Sequence, residues 1–256
     1  MKRLGILTAG GDTPALNATL LGAVHKANEC SVELIGLLSG FQSLYRPDVP
    51  HLSLNPGLVA IPELDATRGG TILGSSRTYV DESDPKALAT AFERLQKLNL
   101  DGLVCVGGDG TLNGMQPLCE CLPTVLAPKT IDNDLGLNYL GEASEWYRRE
   151  DVEEIVYTRR EAIEGQNNEF ALDSIVNYVT PGYATAVFVA ADGIQRVRTT
   201  AESHRRIAIV EVMGRHSGFI AIGAGYGQPD IVLIPEACVD VGALARKVEE
   251  ICRYQQ

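Results

Sequence analysis

A strand-to-glycine-turn junction at residues 103–111 sets the strongest limit on how this chain can fold. Leu103-Val104-Cys105-Val106 is a short apolar run of the kind that forms a buried parallel strand, and Gly107-Gly108-Asp109-Gly110-Thr111 follows it directly. The glycines permit a sharp turn and a close approach of backbone to ligand, because no Cβ stands in the way. A helix opening at Thr111 would aim its free N–H groups at an anion. Asp109 lies inside the turn, where a carboxylate repels phosphate unless a divalent cation such as Mg2+ sits between them. The spacing points to a nucleotide–metal loop at the carboxyl end of a strand. The plainer alternative is a βα turn with a capping aspartate.

The same grammar recurs along the chain. Residues 4–8 predict a strand that ends in Ala9-Gly10-Gly11-Asp12-Thr13-Pro14, residues 17–27 a helix, and residues 32–38 a second strand. A β-α-β start implies a right-handed crossover and a parallel sheet, whose ligands collect at the carboxyl ends of the strands. Arg68-Gly69-Gly70-Thr71-Ile72-Leu73-Gly74-Ser75-Ser76-Arg77 is a third glycine-rich loop, with two arginines suited to forked contacts with phosphate oxygens. Residues 85–98 predict an amphipathic helix, with Leu88, Phe92 and Leu95 at helical spacing. A short strand at 123–126 then delivers Pro128-Lys129-Thr130-Ile131-Asp132-Asn133-Asp134. There Asp132 can serve as a general base and Asp134 can help hold a metal, although such a string can also be a solvated turn.

The second half repeats the theme. Residues 181–197 predict a helix with Pro181 near its start. Residues 207–212 and 231–234 are β-branched and predict strands, which deliver Met213-Gly214-Arg215 and Pro235-Glu236. Residues 241–254 predict an amphipathic helix. Between the halves, 136–174 is rich in charge around a few apolar anchors, and reads as a surface insertion built of hairpin or helix. A lid or an oligomer contact is the sharper alternative.

Composition narrows the function classes. With 45% hydrophobic and 21% charged residues, the 256-residue chain reads as an ordinary folded protein of one large domain or two smaller ones. A formal net charge of -11 counts against nucleic acid as a partner and does not favour an anionic membrane. The six cysteines show no CxxC spacing, which predicts reduced thiols and a cytoplasmic setting. No apolar run approaches the ~20 residues of a membrane span.

Taken in order, Gly10-Gly11-Asp12, Gly69-Gly70-Thr71 with Arg77, Gly107-Gly108-Asp109-Gly110-Thr111, the 128–134 string, Glu211-Val212-Met213-Gly214-Arg215 and Pro235-Glu236 resemble the motif series of the phosphofructokinase family. The resemblance covers most of the chain apart from roughly 136–174. It implies an α/β fold of two three-layer, Rossmann-like parallel-sheet domains with the active site between them. Residues 1–135 would bind nucleotide and metal, and residues 175–256 the sugar phosphate.

The implied activity is phosphorylation of fructose 6-phosphate at C1 in glycolysis, with Mg2+ as cofactor and ATP, or alternatively pyrophosphate, as donor. By the same resemblance Asp132 is the base, Thr130 and Arg215 assist catalysis, and Asp109 and Asp134 hold Mg2+. Gly11, Arg77, Gly108, Asp109, Gly110, Thr111 and Lys129 line the donor. Thr130, Ile131, Asp132, Met213, Gly214, Arg215 and Glu236 hold the sugar phosphate, and Arg206 reaches that of a neighbouring subunit. A homodimer or homotetramer is therefore implied. Pyrophosphate users commonly carry Asp at the position of Gly110, whereas glycine leaves room for a nucleotide α-phosphate, so Gly110 points to ATP. Lys129 is less decisive, since it accompanies pyrophosphate use but also occurs in ATP-dependent members.

Two departures qualify the resemblance. The family continues well past the residue matching Glu236, whereas this chain stops at Gln256, so its sugar domain is expected to be incomplete, as in a fragment or a non-catalytic subunit. Bacterial members with an ADP effector site carry arginines on the first helix, where Leu21 and His25 stand here. His25 and His216 read as structural. NAD and lipid kinases share the Gly-Gly-Asp-Gly-Thr string, but that reading leaves 128–134 and 213–215 unexplained.

Overall fold

The structure, a computed structural model, describes residues 2–46, 48–76, 78, 80, 84–119, 121–134, 146–150, 155–159, 179–214 and 217–254. The chain begins with β1 (Arg3–Thr8), α1 (Ala15–Glu29), β2 (Glu33–Leu37), the single turn α2 (Gln42–Tyr45) and β3 (His51–Ser53). It continues with α3 (Pro85–Lys97), β4 (Gly102–Gly107), α4 (Asp109–Cys119) and β5 (Thr124–Pro128). The five strands form one sheet in the order β3-β2-β1-β4-β5. All neighbours are parallel except β3, which caps the β2 edge antiparallel.

Alternation along the strands places apolar side chains on both faces of this sheet. Ile6, Leu34 and Val106 join Leu16, Leu20 and Val24 of α1 in one buried cluster. Their immediate neighbours Leu7, Ile35 and Cys105 join Ala91 and Leu95 of α3 and Met115 and Leu118 of α4 in another. Helices therefore cover both faces, which gives the three-layer α/β arrangement expected of residues 1–135. Burial of each such Leu, Ile or Val contributes about 1.5–3 kcal/mol. Two local devices fix α3 between core and surface. Pro85 occupies its first turn, and Asp84 caps it by accepting from the backbone N–H groups of Lys86 and Ala87 at 3.0 and 3.1 Å.

Residues Met1–Leu135 and Thr180–Gln256 form one compact unit and Gly136–Val179 a second. In the second unit β6 (Trp146–Glu150) pairs antiparallel with β7 (Ile155–Arg159), so this segment contains a hairpin. In the first unit, the chain after Thr180 forms α5 (Tyr183–Ser203), the short α6 (Phe219–Gly223) and α7 (Val241–Tyr254). Residues 207–212 and 231–234, expected as strands, join no sheet among the described residues. Ile209 is 93% exposed and Leu233 51%. A β-branched segment becomes a strand only when a neighbour satisfies its N–H and C=O groups, and no such neighbour is present among the described residues. Among the described residues, the second parallel sheet that these segments predict is thus not formed.

Candidate active site

The sheet order puts a topological switch between β1 and β4. From β1 the chain moves to β2 on one side, then returns to β4 on the other, and ligands of open α/β sheets bind at such a point. The register aligns the carboxyl ends, with Thr8 beside Val106 and Gly107 beside Pro128. Three loops therefore leave the same edge, at Ala9, Gly108 and Lys129. Gly10, with φ +86°, turns the first loop across this edge, close to the Lys129 carbonyl and the Gly108 nitrogen.

Lys129 ties these loops together. Its N–H donates to the Gly107 carbonyl at 2.8 Å, and its Nζ donates to the Gly11 carbonyl. The side chain is fully buried. Burial pushes the ammonium down to about 8, against partial support from the carboxylates of Asp12 and Asp132. Ile131 is also buried, with its side chain against Gly11.

The residues after Lys129 form a hydrogen-bonded turn. Thr130 Oγ1 donates to Asp134 Oδ1 at 3.1 Å and accepts from the Asp132 N–H at 3.1 Å. Asn133 takes the left-handed conformation at φ +57°, and its Oδ1 accepts from the Thr180 N–H at 2.9 Å. The Thr180 hydroxyl donates to the Thr130 carbonyl at 2.9 Å. Gly182, at φ +106°, bridges to Thr130 and starts α5 there, close to Thr13 and Lys129. A side chain at Gly182 would be strained by its φ and would collide with Thr13. Ser217 Oγ donates to the Asp132 carbonyl at 2.7 Å, which brings the segment after Gly214 to the same turn. Glu236 accepts from the Gly218 N–H at 2.7 Å. One continuous network thus joins the base candidate Asp132, the metal candidate Asp134 and the flank that leads to Met213 and Gly214.

The first loop also grips the third. Asn17, 1% exposed, donates through Nδ2 to the Arg68 carbonyl and accepts through Oδ1 from the Ile72 N–H, both at 3.0 Å. Asp12 accepts from the Gly70 N–H. Thr8 Oγ1 is 2.9 Å from both Thr71 Oγ1 and the Gly74 carbonyl.

Of the residues singled out in sequence, Gly11, Gly108, Thr111, Lys129, Thr130, Ile131, Asp132 and Asp134 converge at this edge. Gly108 lies against Thr130, and Thr111 is buried with its side chain against Gly107. Gly110 sits exposed in the first turn of α4. Met213 is 70% exposed, and Arg206 is exposed just past the end of α5. His25 is exposed on α1. Arg77, Arg215 and His216 lie outside the described residues, as does the side chain of Asp109. Sequence reasoning passed over Asn17, Asn133, Thr180 and Ser217. Asn133 carried one usable signal, since asparagine tolerates the left-handed region. Ser217 carried none.

Asp134 and Thr130 offer oxygen, the donor that Mg2+ prefers. Among the described residues no three acidic, cysteine or histidine side chains cluster as a metal cage.

The phosphofructokinase family model matches residues 3–140 and 173–256. The chain belongs to the phosphofructokinase family. Among curated relatives, ATP-dependent 6-phosphofructokinase 3 of Streptomyces coelicolor is 37% identical over 97% of this chain and 60% of its own length. ATP-dependent 6-phosphofructokinase 1 of Thermus thermophilus is 34% identical over 97% of this chain and 64% of its own. A pyrophosphate–fructose 6-phosphate 1-phosphotransferase of Dictyoglomus thermophilum is 38% identical over 91% of this chain and 55% of its own. The chain thus spans 55 to 64% of the length of these family members. The fold is shared with the phosphofructokinase of Saccharomyces cerevisiae, at TM-score 0.67 and 21% identity over 99% of this chain and 32% of that one. Among the described residues, no helix is long and apolar enough to cross a membrane.

Proposed function

We propose that this chain carries the phosphoryl-transfer site of a 6-phosphofructokinase, which moves the terminal phosphoryl group of ATP to the C1 hydroxyl of fructose 6-phosphate. The observation that carries the proposal is the Lys129–Asp134 turn, hydrogen-bonded on one side to the glycine loops and on the other to Thr180 and Ser217. Phosphoryl transfer needs positioning, charge neutralisation and a base for the incoming hydroxyl. Asp132 takes the hydroxyl proton as the sugar oxygen bonds to phosphorus and the bond to the leaving ADP breaks. Thr130 holds the transferring group, and the loops at Gly11 and Gly108–Thr111 cradle the donor phosphates beside Lys129 and Arg77. Mg2+, held by Asp109 and Asp134, would supply charge neutralisation when bound.

In this reading residues 1–135 serve the donor and 175–256 the sugar phosphate, through Met213, Gly214, Arg215 and Glu236, with Ile131 reaching the sugar phosphate from the first of these two parts. The 136–174 segment is an insertion, and the family model leaves 141–172 unmatched. Arg206 reaches the sugar phosphate of a neighbouring subunit in a homodimer or homotetramer. The six thiols accord with a cytoplasmic setting.

Gly110 favours ATP, because aspartate there would occupy the space of the α-phosphate and repel its charge. Pyrophosphate is the second reading, supported by the buried cation Lys129 and by the Dictyoglomus thermophilum relative. A coupled assay with fructose 6-phosphate separates the two. ATP turnover above pyrophosphate turnover is expected, and Gly110→Asp should depress the former far more, since a like-charge clash costs several kcal/mol. Turnover of pyrophosphate alone would reverse the donor assignment, and turnover of neither would overturn the activity.

A further inference from the structure

We propose that Asn17 is a positioning residue for the phosphoryl donor, acting with Asp12 to hold the Arg68–Gly74 loop at the geometry in which it meets phosphate. The inference rests on the function proposed above and assigns a role to a residue that touches no substrate there.

Asn17 sits in the first turn of α1, just behind the first glycine loop, and is 1% exposed. Its amide spends a donor on the Arg68 carbonyl and an acceptor on the Ile72 N–H, each at 3.0 Å. The two partners have opposite polarity and flank Gly69-Gly70-Thr71. A carboxamide, with a donor and an acceptor on one planar group, satisfies both at once. Asp12 fixes the middle of the same turn through the Gly70 N–H, and Thr8 fixes its far end at Thr71 and Gly74.

Two glycine-rich loops, distant in sequence, are thereby locked into one piece. Gly70 at φ +76° and Gly74 at φ +68° take left-handed conformations that glycine permits but does not enforce, so the contacts to Thr8, Asp12 and Asn17 are what select them. A phosphate-binding loop gains affinity when its backbone is fixed before the ligand arrives. Arg68 and the start of the Ser75-Ser76-Arg77 run sit at the two ends of the clamped stretch.

The test uses Asn17→Asp, which keeps the shape and the acceptor for Ile72 but turns a carboxylate oxygen toward the Arg68 carbonyl. Asp12→Ala, at an exposed position, is the second variant should the buried one fail to fold. Amide exchange at Gly70 and Ile72 reports the loop, and calorimetry with Mg·ATP, pyrophosphate and fructose 6-phosphate reports binding. We expect faster exchange, donor affinity lowered about tenfold or more, and sugar-phosphate affinity unchanged. A purely structural role would lower the melting temperature and leave the ratio of donor to sugar affinity where it was. Donor affinity equal to the parent's in a folded variant with a loosened loop would overturn the positioning role alone. A parent chain that binds neither ATP nor pyrophosphate would instead overturn the proposed function, and the positioning role with it.

Discussion

Asp132 and Lys129 stand three residues apart in one turn yet face opposite demands. The general base proposed at Asp132 would have to present its carboxylate to a substrate hydroxyl, and the Asp132 backbone is held by Thr130 Oγ1 at its N–H and Ser217 Oγ at its carbonyl. Asp132→Asn keeps those backbone contacts and removes the proton acceptor. Phosphoryl transfer should fall by about 10²–10⁴ with an unchanged circular dichroism spectrum. Near-parent turnover would show that another group takes the proton. Lys129 has the reverse problem, a cation buried away from solvent. Its ammonium titrates near 8 instead of 10.5, because burial disfavours the charged form more than Asp12 and Asp132 support it. The unfolded chain therefore holds the extra proton between these two values, so stability rises as pH climbs through the window. Below about 8 the buried charge costs its full amount, on the order of 3 kcal/mol. Urea unfolding from pH 8 to 10.5 should show this rise in the parent, relative to a flatter profile for Lys129→Met. Equal slopes would mean that Lys129 is not buried as a titrating cation.

At the scale of elements, α3 shows how local signals and packing agree. Asp84 caps the helix, Pro85 starts it, and Ala91 and Leu95 face the core cluster under β1 and β4. Asp84→Ala leaves two backbone N–H groups without their acceptor and should cost about 1 kcal/mol, read as a lower denaturation midpoint at unchanged slope. Asp84→Asn should recover most of it, since asparagine caps as well. If both substitutions were silent, the α3 start would be held by packing alone. The segments at 207–212 and 231–234 make the opposite case. Their β-branched composition is as strand-like as that of β4, but strand formation needs a hydrogen-bonded neighbour that composition cannot supply.

At the scale of the whole molecule, Arg206 bears on assembly. Its N–H closes the end of α5 on the Ala201 carbonyl and its residue is exposed. This exposure is what the cross-subunit role proposed for Arg206 requires. Arg206→Ala should raise the Michaelis constant for fructose 6-phosphate in the assembled oligomer, with the sedimentation coefficient unchanged. An unaltered Michaelis constant in a confirmed oligomer would remove the cross-subunit role.

The β1–α1–β2 start, the strand at β4 and the glycine turns were legible from the sequence, because each is written in neighbouring residues. Apolar β-branched runs ending in glycine give strands and tight turns whatever lies elsewhere in the chain. The motif order also identified the family. What only the tertiary structure decided are the contacts between distant segments: Lys129 with Gly11, 118 residues away, and Asn17 with Arg68, 51 away. A lysine in a polar turn reads as a solvated cation, and only the closing of two loops over it makes it a buried one. The small strand β3 escaped detection for a related reason, since three residues carry no period and are held only by pairing with β2. Local chemistry sets what each segment can become, and the burial and pairing that complete it come from residues the local sequence does not contain.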